Sequence, residues 1–249
     1  MILAFLCLKG ESCMNKKYEI TDETMTMSGV TLHRIRAIID FEGVSAGDLG
    51  GWIEKEDNLS HHGNAWVYDK AIVYDEAIVY GEAQVYGKAQ VYGNTQVYGN
   101  ARVYDKAIVY GEAQVYGKAQ VYGKAQVYGK AWVYGNTQVY GNARVSGNTI
   151  VYGNTQVYGK AWVYGNTQVY GNARVSDVSD IVWISNIGSR NDTVTFFKDK
   201  NNNISVSVGC FRGDIDKFEA KVLETHGDNE HAQAYKLAIE LAKLRIKLD

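Results

Sequence analysis

The chain has 249 residues, enough for one or two domains, and its 26 basic and 28 acidic side chains leave a net charge of −2. That near-balance excludes a global field aimed at nucleic acid or an anionic membrane, and no apolar run is long enough to span a bilayer. There are 19 tyrosines and no proline. Proline lacks the N–H that a β ladder uses, so its absence suits a chain built of continuous ladders.

In chain order, the head "MILAFLCLKGESC" is apolar but lacks the basic start and small-residue cleavage site of a signal peptide. Lys9-Gly10-Glu11 can be encoded by a purine-rich stretch resembling a bacterial ribosome-binding site, shortly before Met14. Residues 1–13 are therefore read as a translated leader and Met14 as the natural start. The three cysteines are Cys7 and Cys13 in this head and Cys210 on an apolar strand. That placement argues against a disulfide framework and for a reducing compartment.

Residues 14–62 read as an N-terminal β cap, with strand-like "KYEI" and "VTLHRIRAII" and an irregular approach through Gly50-Gly51-Trp52-Ile53. Leu59 follows Ile53 by six, but Val67 follows Leu59 by eight, so a two-residue bulge is expected near His61-His62.

From Val67 to Val169 a valine falls on every sixth position, eighteen in all, and the register extends through Val175, Ile181 and Ile187. Ala or Thr stands two residues before each valine. Tyrosine follows every one of the eighteen except Val145, where Ser146 stands instead. Apolar positions do not recur at three and four, so the pattern is not helical. Side chains alternate along a strand, so in "TQVYGN" Thr and Val point one way and Gln and Tyr the other. Gly-Asn makes a corner that tolerates positive φ. Three strand-plus-corner hexads close a triangular coil of eighteen residues, and the next coil stacks on it by a parallel ladder. Val and Ala fill the narrow interior, because three tyrosine rings per coil would not fit and their hydroxyls would lack partners. Residues 63–188 thus predict a rod of about 32 Å at the spacing of parallel strands.

Residues 189–249 read as a second cap. "TVTFFK" and "ISVSVGCF" flank "DKNNN" as a hairpin. A helix follows with Ile215, Phe218 and Val222 on one face and Gly227 as its stop. Asp228 is the expected cap of a last helix reaching to about Lys247. That helix carries one apolar stripe of Tyr235, Ile239, Ala242 and Ile246, and a second of Leu237, Leu241, Leu244 and Leu248 spaced 4-3-4. The second stripe reads either as an oligomer seam, for a dimer or trimer, or as part of one broad face buried in the cap.

The "V-Y-G-x-A-x" unit resembles the repeat of left-handed hexapeptide β-helix proteins. The opening "IRAIIDFEGVSAGDLGGWIEKEDNLSHHGNAWVYD" and the tail "GCFRG…HGDN" are similar to uncharacterised bacterial and prophage members of that group. The resemblance implies left-handed coiling. The fold expected is therefore an all-β solenoid, a three-sided left-handed parallel β-helix with an N-terminal β cap and a small C-terminal α+β cap of a hairpin and two helices.

Many hexapeptide proteins are acyltransferases, which implies a histidine base and acyl-CoA bound between subunits. None of the five histidines lies on the grid, and His61 and His62 at the bulge are the candidates for that role. No metal or phosphate-loop motif is present, and no metal or cofactor is expected. Residues eighteen apart stack, which puts Tyr86, Tyr104 and Tyr122 in one column and Lys88, Lys106 and Lys124 in another. The rings read as a stacked shield or a binding face, and the lysines as solubilising charge or a ridge for an anionic polymer. Asp69 and Asp105 sit beside two lysines of that corner, and nucleic acid is not the expected partner. Near-copies such as "KAWVYGNTQVYGNARVS" recur thirty residues apart, at Lys130 and Lys160. Thirty is not a multiple of eighteen, so each copy lands on a different face, which argues against one dedicated binding face. The reading is a non-enzymatic rod binding a protein or polymer partner, phage- or prophage-encoded, virion-associated or an inhibitor of host machinery, in the host cytoplasm or the virion. The alternative is an acyl-CoA-dependent acyltransferase using His61 or His62.

Overall fold

The computed structural model describes residues 16–248. The expected leader lies outside the described residues, as do Cys7 and Cys13. The described chain opens with β1 (Tyr18–Met27), β2 (Val30–Ala37) and β3 (Leu49–Ile53). Nineteen two-residue strands follow within it, β4–β22, from Trp66–Val67 to Arg174–Val175. It ends with β23 (Ile181–Ile187), β24 (Asp192–Lys198), β25 (Ile204–Val208), β26 (Phe211–Asp214), α1 (Ile215–His226) and α2 (Glu230–Arg245).

Every third short strand pairs in parallel, giving three faces and about seven coils. The register is eighteen residues: Val103 lies between Val85 and Val121. Inward Val and Ala are fully buried, as expected from volume. Inward threonines keep their hydroxyls satisfied locally. Thr95 and Thr137 each donate to the tyrosine carbonyl three residues earlier, at 2.7 Å, so a polar atom enters the core without an orphan donor.

The corners need glycine for two reasons. Gly111 has φ of 80°, and a Cβ there would stand 2.9 Å from the amide nitrogen of Gly129 one coil on. Asp105 takes the same place with φ of 61°. Its carboxylate accepts the Gly123 N–H of the next coil at 3.2 Å. Asp69 and Asp75 do the same to Gly87 and Gly93.

The first coil is longer. Ile53 pairs with Val73 and Leu59 with Val79, an offset of twenty, and the two extra residues fall between Leu59 and Val67, where the spacing placed them. β1 and β2 extend the same sheet antiparallel beyond β3. At Gly50 a Cβ would stand 2.6 Å from Ile35 and 2.7 Å from Trp66, so here close packing, not φ, demands glycine.

The other end departs from the grid. Ile181 and Ile187, read as its last rungs, lie in β23, which pairs antiparallel with β24. The expected hairpin is thereby enlarged to a four-stranded antiparallel sheet, β23-β24-β25-β26. Its edge closes the prism: Phe197 and Ile181 join the coil's core, while Ile187 packs with the helices. Cys210 is exposed on the tight turn between β25 and β26, not on a strand. Ile215, Phe218 and Val222 are buried as expected, and Gly227 ends α1 with φ of 58°. Asn229, not Asp228, caps α2, because its side chain accepts the N–H groups of His231 and Ala232, both at 3.0 Å. The helix stops at Arg245, two residues short of the expected end.

Candidate functional site

At the N-terminal junction the insertion in the first coil folds back on the start of β1. Tyr18 is fully buried, and its hydroxyl donates to the carbonyls of Glu56 (2.9 Å) and Leu59 (2.8 Å). Burial pushes its phenol pKa far up. Lys17 is buried beside it, and its Nζ donates to the carbonyls of Gly63 (3.1 Å) and Ala65 (2.6 Å), 5.3 Å from the Phe41 ring centre. Desolvation lowers the ammonium to about 8, against the opposing pull of Glu82.

His61 belongs to this lock. Its ring stacks on Tyr18 with centroids 4.3 Å apart. Nδ1 accepts the Lys17 backbone N–H at 3.3 Å, which puts the ring proton on Nε2, 2.7 Å from Glu56 Oε1. Lys16 reaches the same carboxylate at 2.7 Å, and Lys16 and then His61 hold Glu56 below the usual carboxylate range. The ring is 9% exposed with both nitrogens committed, so it offers no open nitrogen to an acceptor hydroxyl. His62 is exposed, and its backbone N–H donates to Ser60 Oγ. The two neighbours therefore sit in opposite surroundings. Sequence reasoning located the bulge but missed Lys17 and Tyr18, which lie far from it in the chain, and Glu56, which lies close by but shares no motif with it.

The tyrosine columns form as expected. Tyr86, Tyr104, Tyr122, Tyr140 and Tyr158 stack nearly parallel, with centroids 4.7–5.1 Å apart. This matches the rise between coils, so ring faces meet without distortion. Burial first, then neighbouring phenols, pushes Tyr104 and Tyr116 up to about 12. The ring faces are spent on one another, leaving edges and hydroxyls for any ligand. Ser146 interrupts a second column, and beyond it Tyr164 turns to Trp162 (4.8 Å) and Trp183 (4.4 Å). Lys88, Lys106 and Lys124 are exposed on one corner. The carboxylates of Asp69 and Asp105 turn to glycine amides of the next coil instead of to these lysines.

Two recesses sit near the C-terminal cap. A groove of about 430 Å³ between α1 and α2 is lined by Val222, Leu223, Ala232, Lys236 and Ile239. A polar cleft of about 410 Å³ where the coil meets the cap is lined by Arg174, Lys200, Lys247, Tyr158 and Asp180. Asp180 is spent inside the fold, accepting from Ser176 Oγ at 2.6 Å and from the backbone N–H of Ser176 and of Asp177. Arg212 fastens the cap to the last coils, donating to Gln168 and to the Tyr152 hydroxyl while lying 5.5 Å from the Tyr170 ring centre. Among the described residues no cluster of three His, Cys, Asp or Glu side chains could hold a metal ion. Nor, among them, is any helix long and apolar enough to cross a membrane.

The two apolar stripes of α2 part company. Tyr235, Ile239, Ala242 and Ile246 are buried against the cap sheet and α1. Leu237, Leu241, Leu244 and Leu248 are 67%, 41%, 73% and 46% exposed, so the single broad buried face is not formed, and Leu248 lies beyond the end of α2, which leaves Leu237, Leu241 and Leu244 as the helical stripe.

Comparison with known proteins bears on the coil. Residues 96–111, 137–153 and 167–178 match the family described as YdcK Beta solenoid repeat. Over 63 residues the chain is 40% identical to a protein of Escherichia coli (strain K12) named "Uncharacterized acetyltransferase YdcK". That match covers 22% of this chain and 19% of the relative, so most of each protein lies outside it. Both similarities support a solenoid of the hexapeptide type.

Proposed function

We propose that this chain is a non-enzymatic interaction protein: a rigid solenoid that holds two differently built caps apart and presents them to a protein or polymer partner. The observation that carries the reading is the uninterrupted coil. From Val67 to Val175 each strand is followed by the same short corner, so no loop leaves the rod to enclose a substrate. The residues that break the pattern are at the ends, and specificity is assigned there. The setting that goes with this reading is a phage or prophage one, as a virion part or an inhibitor of host machinery, and it rests on the resemblance of the opening and tail motifs alone.

A second reading is favoured by the relative's name. Acyl transfer from acyl-CoA would fall to His62, since both nitrogens of His61 are engaged within the fold. Calorimetry with acetyl-CoA and a thiol-release assay separate the two. The rod reading expects no saturable heat and no thiol release beyond hydrolysis. Saturable binding together with turnover lost in His62→Ala would replace it with the enzyme.

A further inference from the structure

We propose that the exposed leucine stripe of α2 is covered by the same stripe of a second copy of this chain, with the two helices parallel. The stripe is on the wrong side of the helix to serve its own cap. At 3.6 residues per turn, Leu237, Leu241 and Leu244 centre roughly 145° from the buried arc of Tyr235, Ala238, Ile239 and Ala242. Their 4-3 spacing is that of a two-helix seam. The flanks carry opposite charges: Glu240 borders the stripe on one side and Arg245 on the other, five residues later. In a parallel pair those two positions face each other across the seam, so Glu240 meets Arg245 of the partner subunit, and symmetry makes the pair twice. Within the chain neither side chain makes a hydrogen bond or ion pair among the described residues. An antiparallel pair would instead set Glu240 against Lys247, but Lys247 lies beyond the helix end, where its carbonyl accepts from Lys198 Nζ. This self-association is independent of whether the rod is a catalyst.

Light scattering on the full chain over a concentration series is the test. The expected mass is that of two chains, falling to a single chain in the Leu241→Glu, Leu244→Glu variant, with circular dichroism unchanged. Glu240→Arg alone should weaken association at least tenfold, and adding Arg245→Glu should restore it. A monomeric wild type would overturn the proposal, as would a multimer indifferent to the leucine changes. Rescue of Glu240→Arg by Lys247→Glu and not by Arg245→Glu would overturn the parallel arrangement.

Discussion

Val121, in the middle of the rod, has Val103 one coil below it and Val139 one coil above. Its environment is repeated at rung after rung. Phe197, at the end of the rod, is equally buried but meets the Tyr170 ring edge-on at 5.4 Å and belongs to an antiparallel sheet. The coil thus gains stability by many equal increments, and a cap by a few large, unrepeated ones. In a quasi-one-dimensional array the two should fail differently: loss of an interior rung splits the ladder, whereas loss of a cap exposes a template for pairing.

The comparison is broken most severely at the centre. Val121→Asp places a carboxylate among valines with no partner, and we expect loss of cooperative folding, read by circular dichroism and by proteolysis cutting within the rod. Next comes the end. Phe197→Ala removes the plug at a cost of about 3–5 kcal/mol and leaves the coil strands intact. Its signature is association beyond that of the wild-type chain with coil dichroism retained, and a variant that associates and melts as the wild type does would contradict the role given to Phe197.

Tyr104→Ser reproduces the natural gap at Ser146 in another column. It deletes ring contacts at 4.7 and 4.8 Å, each worth about 0.5–1.5 kcal/mol, so a chemical melt should show a modest loss and no change of fold.

A last contrast is in pH dependence, which sets Lys17 of the cap against the phenols of the coil and Tyr18 of the cap. Lys17 has a folded value of about 8 against 10.5. Between those values the unfolded chain holds a proton that the folded chain has released, so stability rises with pH. The phenols are shifted the other way, with Tyr104 and Tyr116 up to about 12 against 10. Above pH 10 the folded chain keeps protons that the unfolded chain loses, so their contribution is lost as pH rises toward 12. Melting temperature should therefore peak near pH 10, and Lys17→Met should flatten the rise below it without moving the alkaline fall. Absorbance at 295 nm should show phenol titration delayed beyond that of free tyrosine.

Much of this was legible in advance. The six-residue spacing of Val67 to Val175 identified the inward face, the stacking partner eighteen residues on and the tyrosine columns. The eight-residue step from Leu59 to Val67 located the bulge. The site was less legible. His61 and His62 are identical in sequence terms, yet one is stacked on Tyr18 and tied to Glu56 while the other is exposed. Ile181 and Ile187 fit the period and still leave it, because β24 offers an antiparallel partner that no local pattern announces.

The amino-acid order by itself determined the rod, since in a repeat each residue's neighbours are copies of itself at a fixed distance along the chain. Only the tertiary structure decided the ends. There the deciding contacts join unlike residues far apart: Lys17 to His61 across 44 positions, Tyr170 to Val206 across 36 and Arg212 to Tyr152 across 60. The physical reason is closure. A ladder can extend itself by local rules, but its last edge must be satisfied by a segment that does not repeat.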